Sequence, residues 1–278
     1  MNIFLDKTFV MNTILIATDF SPASRNAAIY GVALAKAVNA KVILFNAYNV
    51  RRDIKGFNVG ISRYDLMMQT DKKLLDEADD VDPGKGSIEV VCDEGIPEEA
   101  IISVAKEKKA DLIIAGMKGT GKNIKKLFGS TASALIKNCE IPVLIVPENV
   151  TFRTPDVIAF ASENASPANP LPQKLTELAG LLHAKLFAVT VGRKEKIFED
   201  TAATITGSNK TDAVTDFKYV SDSDITHALN EFVKKYKAGL LAMVPHKHEW
   251  LERVLLKSET KEMIFHTHIP LLLLPSEK

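Results

Sequence analysis

Two cysteines and one tryptophan are all the chain has of these types, aromatics make up only 7% of its 278 residues, and no net charge remains, with Lys plus Arg and Asp plus Glu at 35 each. Each scarcity excludes something. Cys92 and Cys139 fall in a predicted strand and at a predicted helix end, without the short spacing of a zinc or redox pair, and read as reduced thiols of a cytosolic protein filling apolar space. Balanced charge leaves no overall field to draw in nucleic acid or an anionic membrane. The opening stretch Met1 to Val10 carries Asp6 and Lys7 and is too short and too polar for a signal peptide or a membrane span, so a cytoplasmic location is expected and the fold is expected to begin near Met11. No nucleophile with its base, no paired carboxylates and no triad pattern stands out, which points to binding rather than catalysis.

What is present is a repeat. Hydrophobic residues at 46% and charged residues at 25% describe an ordinary globular protein, and the length exceeds the roughly 100–200 residues of one domain. The segment from Ala110-Asp111-Leu112-Ile113-Ile114 to Ile141-Pro142-Val143-Leu144-Ile145-Val146-Pro147 returns as Ala238-Gly239-Leu240-Leu241 to Ile269-Pro270-Leu271-Leu272-Leu273-Leu274-Pro275, 128 positions later. Upstream, Thr13 to Ala17 is matched with Asp156 to Phe160, and Lys41 to Phe45 with Lys185 to Val189. Two domains are expected, at residues 1–148 and 156–278, with the polar, proline-ended stretch Glu148 to Pro155 as linker.

In the first copy, short apolar runs alternate with longer amphipathic ones: strands near 13–18, 41–47, 87–92, 111–116 and 142–146, and helices over 22–38, 61–79, 97–108 and 130–138. That is the pattern of βαβ units, and strands apolar on both faces predict a parallel sheet covered by helices on each side. The second copy keeps the order with a shortened middle, and its third helix is expected after Ser221-Asp222-Ser223-Asp224.

Open parallel sheets bind ligands beyond the carboxyl ends of their strands. There the first copy places Thr18-Asp19-Phe20-Ser21-Pro22, a strand-tip carboxylate with a serine cap, and Gly116-Met117-Lys118-Gly119-Thr120-Gly121-Lys122, followed by a helix at Gly129-Ser130-Thr131. Glycines allow close backbone approach and a helix N-terminus offers N–H groups to an anion, so the loop reads as a phosphate cradle made locally basic by Lys118, Lys122, Lys125 and Lys126, although its spacing is not that of a P-loop. Asp19 before Ser-Pro also suits a simple turn, and the lysines equally suit a solvated loop.

The conjunction of Thr18-Asp19-Phe20-Ser21, Gly95-Ile96-Pro97, the glycines at 116, 119 and 129 with Ser130, and Ile141-Pro142-Val143-Leu144-Ile145-Val146-Pro147 resembles the ATP-binding members of the universal stress protein family. The resemblance spans nearly the whole chain as a tandem pair. It implies two Rossmann-like domains of the adenine nucleotide alpha hydrolase-like type, each a five-stranded parallel sheet sandwiched by helices, with ATP, and a cation such as magnesium, held in the first. Thr18 belongs to the implied site, Asp19 would lie by adenine and ribose, Ala47 would meet adenine, and Ala115 and Gly116 would flank ribose and phosphates. Gly119, Gly129, Ser130 and Thr131 would hold the phosphates. It also implies that the two last strands meet within one chain as an intramolecular pseudo-dimer, with further homodimerisation open.

The second copy lacks the cradle: Val244, Lys247, Lys257 and Glu259 stand opposite Gly116, Gly119, Gly129 and Thr131, and Ser162 opposite Asp19. This half is expected not to hold ATP in the same manner. His246, His248, His266 and His268 cluster near it in sequence, but their spacing is not diagnostic of zinc. The expected function is a cytoplasmic, ATP-binding regulator in stress response acting on an unidentified protein partner. The alternatives are a slow ATPase or self-phosphorylating enzyme, on Ser130 or Thr131, and a scaffold whose second half holds another small ligand or a metal.

Overall fold

A computed structural model describes residues 11–49, 62–83, 88–117, 129–161, 171–192, 215–221, 225–244 and 269–275. The first half runs β1 (Thr13–Ala17), α1 (Pro22–Val38), β2 (Lys41–Tyr48), α2 (Arg63–Val81), β3 (Ile88–Glu94), α3 (Pro97–Glu107), β4 (Leu112–Met117), α4 (Gly129–Asn138) and β5 (Val143–Pro147). The second runs β6 (Val157–Ala161), α5 (Gln173–Leu181), β7 (Lys185–Gly192), β8 (Thr215–Ser221), α6 (Ile225–Tyr236), β9 (Leu240–Met243) and β10 (Leu271–Leu273). Sequence and structure agree closely in the first half, where Ser21 caps α1 and accepts the Ser24 N–H, with Pro22 in the first helical turn.

The strands form one sheet in the order β3-β2-β1-β4-β5-β10-β9-β6-β7-β8. Every neighbour is parallel except β5 and β10, which pair antiparallel. Two five-stranded parallel halves are thus joined edge to edge, and neither leaves its last strand open. Leu144 lies opposite Leu272, its own counterpart 128 positions on, with Ile145 opposite Leu271 and Val143 opposite Leu273. This is the register a twofold axis between the two leucines would give. The apolar layers on both faces cross the seam: Ile14, Leu144, Leu178 and Leu240 share one, and Leu15, Ile145, Leu229 and Leu241 the other.

Two expectations change. The pairing registers set Thr13 opposite Lys41 and Val157 opposite Lys185, so β1 corresponds to Val157–Ala161, one residue later than the sequence match to Asp156. The same count sets Ser162 opposite Thr18 and Glu163, not Ser162, opposite Asp19, both outside the described residues. The linker packs against the first half. Asn26 Nδ2 donates to the carbonyls of Pro147 and Val150 at 2.9 Å each, and Phe152 meets the Tyr30 ring edge-on at 5.1 Å. Repeated strand and helix patterns could not disclose this packing, because it depends on α1 of the first half.

The duplication shows again where helices hand over to strands. Asn39 and His183, before β2 and β7, and Lys109 and Lys237, before β4 and β9, all have left-handed backbones, with φ of 56°, 53°, 53° and 52°. Lys109 is exposed, so nothing there rewards a side chain in that conformation. Left-handed backbone costs an L-residue roughly 1–2 kcal/mol, against about 0.5–1 kcal/mol of extra unfolded-state freedom for glycine. Lys109→Gly is expected to leave stability unchanged or raise it by up to about 1 kcal/mol in urea denaturation, and Lys109→Val to lower it. A destabilised glycine variant would contradict the assignment.

Candidate functional site

A cleft of about 280 Å³ opens at the carboxyl end of the first half-sheet, around β1 and β4, the adjacent strands at which the strand order reverses. Strand ends contribute Ala17 to Asp19 from β1, Phe45 to Ala47 from β2, and Ala115 with Gly116 from β4. Helix starts contribute Ser21, Ala23 and Ser24 of α1, Pro97 and Ile101 of α3, and Ser130 to Ala132 of α4. Helix N-termini carry unbonded N–H groups and positive partial charge, so three of them around one cleft favour an anion.

Seven of the nine residues expected from sequence line this cleft: Thr18, Asp19, Ala47, Ala115, Gly116, Ser130 and Thr131. Gly129 opens α4 beside it, and Gly119, with the lysines from 118 to 126, lies outside the described residues. The four histidines at 246, 248, 266 and 268 lie outside them too. Among the described residues no group of three or more His, Cys, Asp or Glu is placed to hold a metal ion, and no helix is long and apolar enough to cross a membrane.

Thr18 is committed to the protein. Its N–H donates to Phe45 O at 2.9 Å, its carbonyl accepts from Asn46 Nδ2 at 2.7 Å, and its Oγ1 lies 2.9 Å from Glu77 Oε2. It therefore shapes the cleft more than it offers groups to a ligand. Asp19 is exposed at the rim; its Oδ1 accepts the Ser21 N–H at 3.0 Å and its own N–H donates to Ser24 Oγ at 3.3 Å. Partial burial pushes its carboxyl up, but hydrogen bonds from the Ser21 and Ser24 side chains and from backbone N–H groups outweigh this and hold it below the usual carboxylate range.

Gly116 has a cause the sequence did not reveal. A Cβ there would sit 2.4 Å from Ala23 O and 2.8 Å from Ser24 N, both backbone atoms of the first turn of α1. Its glycine is demanded by the helix behind it, before any ligand is considered. Glu77 was missed altogether. It belongs to the buried face of α2 with Thr70, Leu74 and Ala78, a carboxylate within an apolar stripe, and that break in pattern was the available signal. Burial pushes the Glu77 carboxyl up; Thr18's hydrogen bond and Arg25 oppose this, while Asp19 and Asp80 reinforce it.

The fold and cleft define a Rossmann-like α/β protein with a ligand site at its switch point. The sequence model of the universal stress protein family matches residues 11–147. A universal stress protein of Methanocaldococcus jannaschii is 33% identical over 141 residues, 48% of this chain and 80% of that protein. One of Thermus aquaticus is 30% identical over 140 residues, covering 49% of this chain and 99% of the relative. The solved structure of a universal stress protein from Archaeoglobus fulgidus shares the fold across both halves, with a TM-score of 0.70 over 96% of this chain and 99% of its own at 17% identity. The chain belongs to the universal stress protein family.

The geometry makes two predictions. Gly116→Ala is expected to destabilise the ligand-free protein by about 1–3 kcal/mol in denaturant unfolding, since backbone must move to admit the methyl; unchanged stability would return Gly116 to a purely ligand-facing role. A carboxyl whose folded pKa is raised costs stability wherever it is ionised, and the cost is recovered as pH falls through the folded value. Glu77→Gln is therefore expected to melt above wild type at neutral pH, with the gain shrinking toward the ordinary glutamate pKa of about 4.3. A gain that does not vary with pH would count against it.

Proposed function

We propose that the protein binds one adenine nucleotide, ATP, in the first-half cleft and serves as a nucleotide-dependent regulator in stress response in the cytoplasm. The observation that carries this reading is the convergence of three helix N-termini and three strand ends on one cleft, in the half that holds the glycine-rich segment. The cleft approaches the roughly 300–1,000 Å³ typical of small-molecule sites. Ala47 offers apolar surface for a base, and the first turn of α4, with Ser130 and Thr131, offers hydroxyls and N–H groups for phosphate oxygens. Asp19, held ionised, is the one carboxylate among the described lining residues and suits a ribose hydroxyl or a phosphate-borne magnesium ion.

The second half supports the single-site reading. Val244 fills the position of Gly116 and is buried. α5 begins at Gln173, which the register sets opposite Ile29, so Leu171 and Pro172 are not helical where α1 has completed its second turn.

Freshly purified protein, denatured and chromatographed, is expected to release about one ATP per chain, or to bind about one on titration, and a Gly119→Val, Gly129→Val double variant none. Two equivalents of similar affinity would refute the single site. No uptake at all by the wild-type chain would refute the nucleotide reading.

A further inference from the structure

Glu77 is a buried acid that no binding role requires, and it touches the back wall of the cleft. Only 6% of it is exposed, and its two carboxylate oxygens lie 2.9 and 3.2 Å from Thr18 Oγ1. Thr18 has one hydroxyl proton. Directed to Glu77, it leaves the oxygen's lone pairs to accept the Phe20 N–H at 3.0 Å. Phe20 is a bulky residue at φ 63°, a conformation that persists only where surroundings impose it. Lys73, one turn before Glu77 on α2, lies over the Phe20 ring with its Nζ 5.7 Å from the centroid. α2 thus grips the strained turn from two sides, and Asp19 sits between the gripped residues.

A second partner is within reach of the same proton. Ser24 Oγ lies 3.1 Å from Thr18 Oγ1, donates to Ser21 O at 3.0 Å and accepts the Asp19 N–H at 3.3 Å. Without an acceptor at Glu77, the Thr18 proton would turn to Ser24 Oγ and compete with the Asp19 N–H and the Ser21 hydroxyl, 3.4 Å away, for its two lone pairs. The carboxylate decides which way this small network runs.

We propose that Glu77 is a positioning residue of the cleft: acting through Thr18, it sets the turn that carries Asp19 and couples α2 to ligand occupancy. The coupling rests on the adenine nucleotide reading; the setting of the turn does not. Because coupling is reciprocal, whatever displaces α2 also changes ligand affinity. An acid kept at a cost in stability, where α2 meets the tip of β1, is explained by this role.

The test compares full-length wild type, Glu77→Met, Glu77→Gln, Thr18→Val and the Glu77→Met, Thr18→Val double variant. Amide exchange is read by NMR without nucleotide, and ATP affinity by titration. Glu77→Met is expected to speed exchange of the Phe20 and Ser21 amides and to weaken ATP binding, each about tenfold, without lowering thermal stability. Glu77→Gln keeps an acceptor for Thr18 and is expected to retain both at the wild-type level. Thr18→Val should reproduce the loss, and the double variant should lose no more than either single. ATP should protect α2 amides in wild type and in Glu77→Gln but not in Glu77→Met. Unchanged exchange at Phe20 in Glu77→Met, a glutamine variant as impaired as the methionine one, or additive losses would each overturn the proposal. Should the wild-type chain take up no ATP, the nucleotide reading and the coupling fall, while the ligand-free exchange still decides the positioning role.

Discussion

How closely α1 lies on β1 and β4 governs the rest of the first half. Two glycines permit it, one from each layer. A Cβ on Gly31, in the middle of α1, would stand 2.6 Å from Ile16 Cδ1 and 3.0 Å from Ile114 Cδ1, and one on Gly116 would strike the backbone of Ala23. Glycine within a helix forfeits roughly 0.5–1 kcal/mol relative to alanine, and the return is a helix seated low on the sheet with its first turn at the strand tips. From that seat Ser24 reaches the Asp19 N–H and Thr18, and Asn26 reaches the carbonyls of Pro147, at the end of β5, and Val150. The cleft is a consequence of this packing distance more than of any one residue in its lining.

The second half lacks both glycines. The register that equates β1 with β6 sets Leu175 opposite Gly31, and the offset of β4 to β9 sets Val244 opposite Gly116; both are buried. Each glycine of the close approach has been replaced by a branched side chain, and α5, with nine residues against seventeen in α1, starts later along the sheet. The strands themselves are unaltered in order, and β10 still meets β5 in register. Sheet pairing and site geometry therefore separate in this protein. The pairing needs only apolar strands that can align, so it tolerates both substitutions.

This separation also accounts for how much of the molecule was legible in its sequence. The alternation of strands and helices and the cap at Ser21 were legible because each depends on local pattern, and the meeting of Ile141–Pro147 with its counterpart because the family resemblance implies it. The one-residue slip in matching β6 was not: Asp156-Val157-Ile158 and Val157-Ile158-Ala159 both fit an apolar strand, and only hydrogen-bond pairing with Lys185 separates them. Gly116 was legible as a site position but not its reason, since the atoms it avoids belong to a helix some ninety residues earlier in the chain. Glu77 required knowing which way α2 faces, and Phe152 required knowing that Tyr30 lies beneath the linker. Each feature that escaped was a contact between elements distant in sequence.

Three residues that break local rules meet at one place. Phe20 is an aromatic in left-handed backbone, Glu77 a buried acid and Asn46 a buried amide, and all three bond directly to Thr18. In the second half the left-handed residues, His183 and Lys237, stand exposed at helix ends, where they serve only to turn the chain. Three departures of the fold from its sequence thus share one side chain at the tip of one strand. Backbone strain and buried charge persist only where surrounding contacts over-determine them, and Thr18, with N–H, carbonyl and hydroxyl all engaged, supplies that constraint. Its hydrogen bonds fix β1 to β2, to α2 and to the turn ahead of α1 at once. Asp19 is therefore presented from a rigid point, although it is itself exposed.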